Sequence, residues 1–187
     1  MKENYVLTIK AEARPGLLHL ITGVIEKRQV KITSLSLAPT DIHDIVLITI
    51  EVCGDESNLV QLALKLENII EVFAVEMKQY NSMVCLRAAY FKLSKSFLET
   101  PKTTVLSQHN AAIVMFYPDA LLVAKYGTDA SILSLYNELD GPHLMGFSQT
   151  GLITDSSLID DEVRVISQRN SNHDFTNREG SITRLAA

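Results

Sequence analysis

The stretch from Tyr5 to Ile25 limits the fold more than any other part of this sequence. Tyr5-Val6-Leu7-Thr8-Ile9-Lys10 reads as a strand, while Leu17, Leu18, Leu20, Ile21, Val24 and Ile25 recur at helical spacing. Little more than Ala13-Arg14-Pro15-Gly16 separates the two, so the chain must pass from strand to helix through a tight turn. Pro15 is predicted at the first helical position, where its missing N–H costs nothing. Gly16 lets the backbone approach whatever lies above the turn. The N–H groups that open a helix have no partner within it and favour an anion. The turn is therefore a candidate site for a small carboxylate such as that of an amino acid. A plain strand-to-helix connection is the competing reading.

The rest of the first half extends this beginning into strand, helix, strand, strand, helix, strand. The helix is predicted from about Pro15 to Arg28, and further strands over Lys31 to Ala38, Ile45 to Val52 and Val72 to Met77. Pro39-Thr40-Asp41-Ile42-His43-Asp44 forms the turn between the second and third strands. Asp55 can cap a second helix, which carries Leu59, Leu62, Ala63 and Leu66 on one face. A βαββαβ order gives an antiparallel sheet with both helices on one face, the ferredoxin-like arrangement of an α+β fold.

The second half repeats the plan. Strands are predicted at Ser82 to Ala89, Ala111 to Tyr117, Ala120 to Tyr126 and Leu144 to Ile153. A short helix near Lys102 to Gln108 follows Thr100-Pro101, read as a cap and a first-turn proline. A second helix carries Ile132, Leu135, Tyr136 and Leu139. Cys53-Gly54-Asp55-Glu56-Ser57-Asn58-Leu59 is echoed by Tyr126-Gly127-Thr128-Asp129-Ala130-Ser131-Ile132, which marks a duplication. The expected organisation is two tandem ferredoxin-like domains, 1–80 and 81–159. A tail, 160–187, is predicted to be disordered because Gln168 to Gly180 is almost wholly polar. Val163 to Ile166 could add a short strand or docking segment.

Composition narrows the function. Apolar residues make up 47%, enough for a core, and the net charge of -5 comes with no basic stripe, which argues against nucleic acid. No apolar run approaches the length of about 18 residues that a membrane span needs. Met1-Lys2-Glu3-Asn4 shows no secretory leader, and Cys53 and Cys85 read as reduced thiols within strands. The expected location is the cytoplasm. His19, His43, His109, His143 and His173 show no metal-ligand spacing and read as structural. Asp41 with Asp44, and Asp160-Asp161-Glu162, read as solvated charge. No nucleophile stands near a base, and no phosphate loop or dinucleotide motif occurs. No catalytic residue and no metal site is predicted. Open strand edges would instead favour side-by-side pairing with another copy.

Several short segments, taken in order, carry a resemblance. They are Gly16-Leu17-Leu18, Arg28, Ile32, Ser34-Leu35, Ala38-Pro39-Thr40-Asp41, Gly54-Asp55-Glu56 and Leu66 with Ile69, Ile70 and Val72. The series resembles an ACT domain, a small-molecule regulatory module, and above all that of the small regulatory subunit of acetolactate synthase (acetohydroxyacid synthase). Ala112-Ile113-Val114, Pro118-Asp119-Ala120-Leu121-Leu122-Val123 and Thr150-Gly151-Leu152-Ile153 are similar to the C-terminal domain of that family. The resemblance runs from Tyr5 to Ile153, and its specificity lies in the ordered series rather than in any one motif.

The resemblance implies a non-catalytic subunit that binds and activates a large catalytic subunit. Thiamine diphosphate, Mg²⁺ and often FAD belong to that partner, and no cofactor is expected in this chain. It also implies a homodimer through the ACT domains, with feedback inhibition by a branched-chain amino acid, usually valine, bound at their interface. Carried onto this sequence, the effector residues are Ala13, Arg14, Gly16, Leu17, Leu18, Lys31 and Ile32. Two departures stand out. The family has Asn where this chain has Ala13, and Arg-Gly-Tyr-Asn where it has Arg28-Gln29-Val30-Lys31. Side-chain partners for a bound amino acid are thereby lost, so weak or absent valine binding is expected, with activation retained. A free-standing tandem ACT sensor with another partner, and a small enzyme on the same fold, are the alternative readings.

Overall fold

A computed structural model describes residues 3–157. It contains two units of the same topology. In the first, β1 (Glu3–Glu12), β2 (Lys31–Pro39), β3 (Ile45–Gly54) and β4 (Val72–Gln79) form an antiparallel sheet in the order β2-β3-β1-β4. The helices α1 (Leu17–Lys27) and α2 (Glu56–Glu67) connect them. In the second, β5 (Cys85–Ser94), β6 (Ala112–Phe116), β7 (Ala120–Gly127) and β8 (Leu144–Gln149) follow the order β6-β7-β5-β8, with α3 (Thr104–Gln108) and α4 (Asp129–Leu139). The two orders correspond strand for strand, as the duplication predicts. The expected tail at 160–187, with Val163 to Ile166, Asp160-Asp161-Glu162 and His173, lies outside the described residues.

The repetition reaches the irregularities. A register shift falls between Ile32 and Ser34 in β2 and between Ile113 and Met115 in β6. A second falls between Lys10 and Ala11 in β1 and between Lys92 and Leu93 in β5. The ends of α1 and α3 also match. Val30 N–H bonds back to the Ile25 carbonyl and Gln29 N–H to Glu26, just as Ala111 bonds to Leu106 and Asn110 to Ser107. Each is a Schellman closure with its pivot residue in the left-handed region, Gln29 at φ 56 and Asn110 at φ 52.

Each unit has its own core. Leu7, Ile9, Ile48, Ile50 and Val52 face Ile21, Ile25, Leu59, Leu62 and Leu66 in the first. In the second, Phe91, Leu93, Leu121 and Val123 face Ile132, Leu135 and Leu139, with Phe97 and Leu106 closing one side. Half-alternating strands put one residue in two on these inner faces. β5 does so along its whole length: Cys85, Arg87, Ala89, Phe91 and Leu93 are buried, while Leu86, Tyr90 and Lys92 are exposed.

Several boundaries differ from the sequence expectations. Helix α1 begins at Leu17, not Pro15, because Gly16 has a φ of 87 and cannot belong to a right-handed helix. Pro15 lies in the turn. Asp55 takes the N-cap position of α2 without a side-chain cap bond. The Thr100 hydroxyl donates to the Phe97 carbonyl rather than capping, and 3-10 turns at Lys95–Glu99 and Pro101–Thr103 lead into α3. Strand β5 begins at Cys85 and runs on to Ser94, since Tyr80–Ser82 forms a 3-10 turn. The last expected strand breaks in two. Thr150 turns its hydroxyl onto the Ala88 N–H, and Ile153–Thr154 then forms β9 against Leu86 and Cys85.

Candidate functional site

The turn after β1 is built by backbone bonds. Ala13 N–H donates to the Asp44 carbonyl at 2.7 Å and Glu12 N–H to Glu71 at 2.8 Å. These fix the strand exit between the β2–β3 and α2–β4 connections. Gly16 then reverses into α1, and its carbonyl takes the Leu20 N–H at 3.0 Å. The result is an open hollow of about 460 Å³ lined by Ala13, Arg14, Gly16, Leu17, Leu18 and His19, with Leu37 and Val46 from the sheet.

Five of the seven residues expected at the site therefore share one hollow. Lys31 and Ile32 do not join them within the chain. Lys31 pairs with Cys53 whereas Pro39 pairs with Val46, so Lys31 lies at the far end of β2, about 23 Å away at the usual rise per residue. Ile32 turns into the first core. The Leu17 N–H, one of the groups that open the helix, is already given to the Arg14 carbonyl at 3.2 Å. Arg14 reaches Glu12 at 2.9 Å in an exposed pair, the kind that contributes little to stability. Leu37, Val46 and His19 complete the hollow and were not among the expected residues. Leu37 and Val46 were legible only as strand positions.

The strongest electrostatic feature lies elsewhere, between the units. Arg87 of β5 is 7% exposed. Its Nε donates to Asp129 at 2.6 Å, Nη2 to Glu51 at 2.7 Å, and Nη1 to both the Ser34 hydroxyl and the Thr150 carbonyl at 3.2 Å. Tyr80 donates to the other Asp129 oxygen at 2.8 Å. Burial alone would push the guanidinium pKa down, but the bonds and charges of Asp129 and Glu51 outweigh it and hold the group above its ordinary value. Among the described residues no buried side-chain nitrogen or oxygen lacks a partner. Sequence reasoning passed over this cluster, although both signals were visible: a charge at an inward position of β5, and a lone carboxylate, Glu51, in β3, whose other residues are all uncharged.

The remaining histidines have structural partners. His109 meets Glu138 at 2.7 Å, His143 meets Ser94 at 2.9 Å, and His43 pairs with Asp44 at 2.8 Å. Among the described residues no group of three or more His, Cys, Asp or Glu side chains is placed to hold a metal ion. No described helix is long and apolar enough to cross a membrane.

Comparison with known proteins agrees with this architecture. The family model described as the AHAS small subunit-like ACT domain matches residues 7–74. The acetolactate synthase small subunit of Mycolicibacterium smegmatis is 23% identical over 154 residues, 81% of this chain and 89% of the relative. That of Haemophilus influenzae is 34% identical over 70 residues, 37% of this chain and 43% of the relative. A crystal structure of the acetolactate synthase small subunit from Thermotoga maritima superposes with a TM-score of 0.74 at 14% identity, covering 81% of this chain and 96% of that one. Residues 7–74 thus match an ACT domain of the acetohydroxyacid synthase small-subunit type, and the chain is similar in sequence over most of its length to acetolactate synthase small subunits.

Proposed function

We propose that this chain is a non-catalytic regulatory subunit of acetolactate synthase. It binds the large catalytic subunit, which carries the thiamine diphosphate, Mg²⁺ and FAD, and raises its activity in branched-chain amino-acid synthesis. The observation that carries this reading is the small-subunit-type ACT match over 7–74, followed by a second unit of the same topology. The open outer edge of β2 supports a homodimer in which two first sheets lie side by side.

The hollow at the turn supports a branched-chain amino-acid effector there, since Leu17, Leu18, Leu37 and Val46 present an apolar wall to an aliphatic side chain. Its polar grip is poor. Ala13 offers no side-chain partner, and the Leu17 N–H is taken. An unmatched buried polar group costs about 1–3 kcal/mol, so valine feedback is weakened while activation is kept.

Co-expression with an acetolactate synthase large subunit, assayed for acetolactate with and without valine, tests both parts. The chain should co-purify with the enzyme and raise its output, and valine should inhibit little. Unchanged output on adding the chain ends the regulatory-subunit reading. Tight amino-acid binding with no effect on the enzyme points instead to a free-standing sensor. Micromolar valine affinity by calorimetry refutes the weakened site.

A further inference from the structure

The second unit does not merely follow the first. It grips one strand of it. β2 is an edge strand, held on one side by β3 alone. Its Leu35 packs against the helix-side core, and Leu37 lines the turn hollow. The alternate residues, Ser34 and Ser36, point to the opposite face and meet the second unit. Arg87 donates to the Ser34 hydroxyl at 3.2 Å, and the Ser36 hydroxyl donates to the Leu152 carbonyl at 3.0 Å. Gly151 fits flush between them. A Cβ added there would lie 2.9 Å from the Ser36 Cβ and 3.2 Å from the Leu35 carbonyl oxygen. Val6 of β1, Cys85 and Leu152 bury a small apolar cluster beside the grip, with Tyr80 and Met83 packed against it. Arg87 also binds Glu51, the register partner of Ser34 on β3.

We propose that Arg87 and the Thr150–Leu152 segment form a clasp that positions β2, and through Leu37 the turn hollow, so that the turn and the second unit respond to one another. Coupling of this kind needs a physical element that both sites bias, and β2 is that element: one face carries Leu37 toward the hollow, the other carries Ser34 and Ser36 toward the second unit. A ligand that favours one placement of β2 is then felt at the clasp, and opening the clasp is felt at the hollow, because linkage is reciprocal. Arg87 and Gly151 are positioning residues here. Neither lines the hollow. The regulatory meaning of the clasp rests on the reading of the turn proposed above; the clasp itself does not.

Hydrogen exchange by mass spectrometry on the full chain without ligand tests the clasp. Arg87→Met removes the donor fork, and Gly151→Val wedges the contact from the other side, so the second variant decides the question if the first does not fold. In both, exchange in residues 31–39 and 13–20 should rise about tenfold more than in 59–66 of α2 and 121–124 of β7. Arg87→Lys, which keeps the charge and loses the fork, should fall between wild type and Arg87→Met. Faster exchange confined to 85–88 and 148–154 overturns the proposal. So does a rise that is uniform along the chain, since that would mark a folding role alone. Calorimetric titration of the unaltered chain with L-valine reports separately on the regulatory reading of the turn.

Discussion

Single residues show where patterning and chemistry part company. Both cysteines sit in strands with free thiols, yet their surroundings differ. Cys85 is buried against Val6 and Leu152, and burial, then the charges of Asp155 and Glu51, push its thiol pKa up. Cys53 is half-buried. Because the thiolate is the reactive form, an aromatic disulfide reagent at pH 8 should titrate one thiol quickly and the other slowly. Cys53→Ser should abolish the fast phase, and its survival in that variant would contradict the assignment. Tyr80 offers a pH test of the clasp region. Burial, then the bond to Asp129 and its negative charge, raise the phenol well above its ordinary 10.0. A group whose folded pKa is raised stabilises the fold below its unfolded pKa and loses that contribution as pH rises through the folded value. Stability should therefore fall from about pH 10 upward, and Tyr80→Phe should flatten that decline in denaturant melts. The same cluster shows the reach of sequence reading. A nearly continuous apolar run marked β3 and an imperfect alternation marked β5, but neither had a way to show that Glu51 and Arg87, 36 positions apart, meet at 2.7 Å.

At the scale of elements, most of the fold was legible because each helix and strand has its own periodicity, and because the two halves repeat it. The boundaries went astray where one backbone angle decides them. Pro15 satisfied the local preference for a first helical position, yet the φ of 87 at Gly16 set the start of α1 at Leu17. The other end of α1 closes on Gln29 in the left-handed region, at the position where the related family has glycine, and the second unit uses Asn110 there. A side chain in that conformation costs roughly 1–2 kcal/mol, less for Asn than for others. Gln29→Gly should raise stability by about 1 kcal/mol, read as a higher thermal midpoint. Gly16→Ala should do the reverse. Nothing lies within 4 Å of a Cβ added at Gly16, so that loss, about 1 kcal/mol, would come from the backbone alone. Equal midpoints for all three proteins would mean that neither angle carries strain.

At the scale of the whole molecule, the question is what joins two units with separate cores. Their apolar contact is small, Val6 with Cys85 and Leu152, so the polar grip matters more than it would between large apolar faces. A buried ion pair is an ambiguous stabiliser: its desolvation can cancel its attraction, whereas removing one partner strands the other charge at about 3–5 kcal/mol. Arg87 escapes part of that penalty because each of its three side-chain nitrogens has a partner, Glu51 and Ser34 in one unit and Asp129 and Thr150 in the other. This arrangement gives a double-mutant cycle a clear sign. Arg87→Met should lose about 3–5 kcal/mol, because Glu51 stays 7% exposed and unpaired. Adding Glu51→Leu should recover most of the loss, since an apolar pair of similar size can replace a buried ionic one. The melting profile carries the second half of the prediction. With the clasp intact the units should unfold in one transition. With Arg87→Met the first unit, whose β2 edge is then held only by β3, should separate as an earlier step. If the two single losses simply add in the double variant and the transition stays single throughout, the guanidinium is a local contact, and the apolar cluster around Leu152 holds the units together without it.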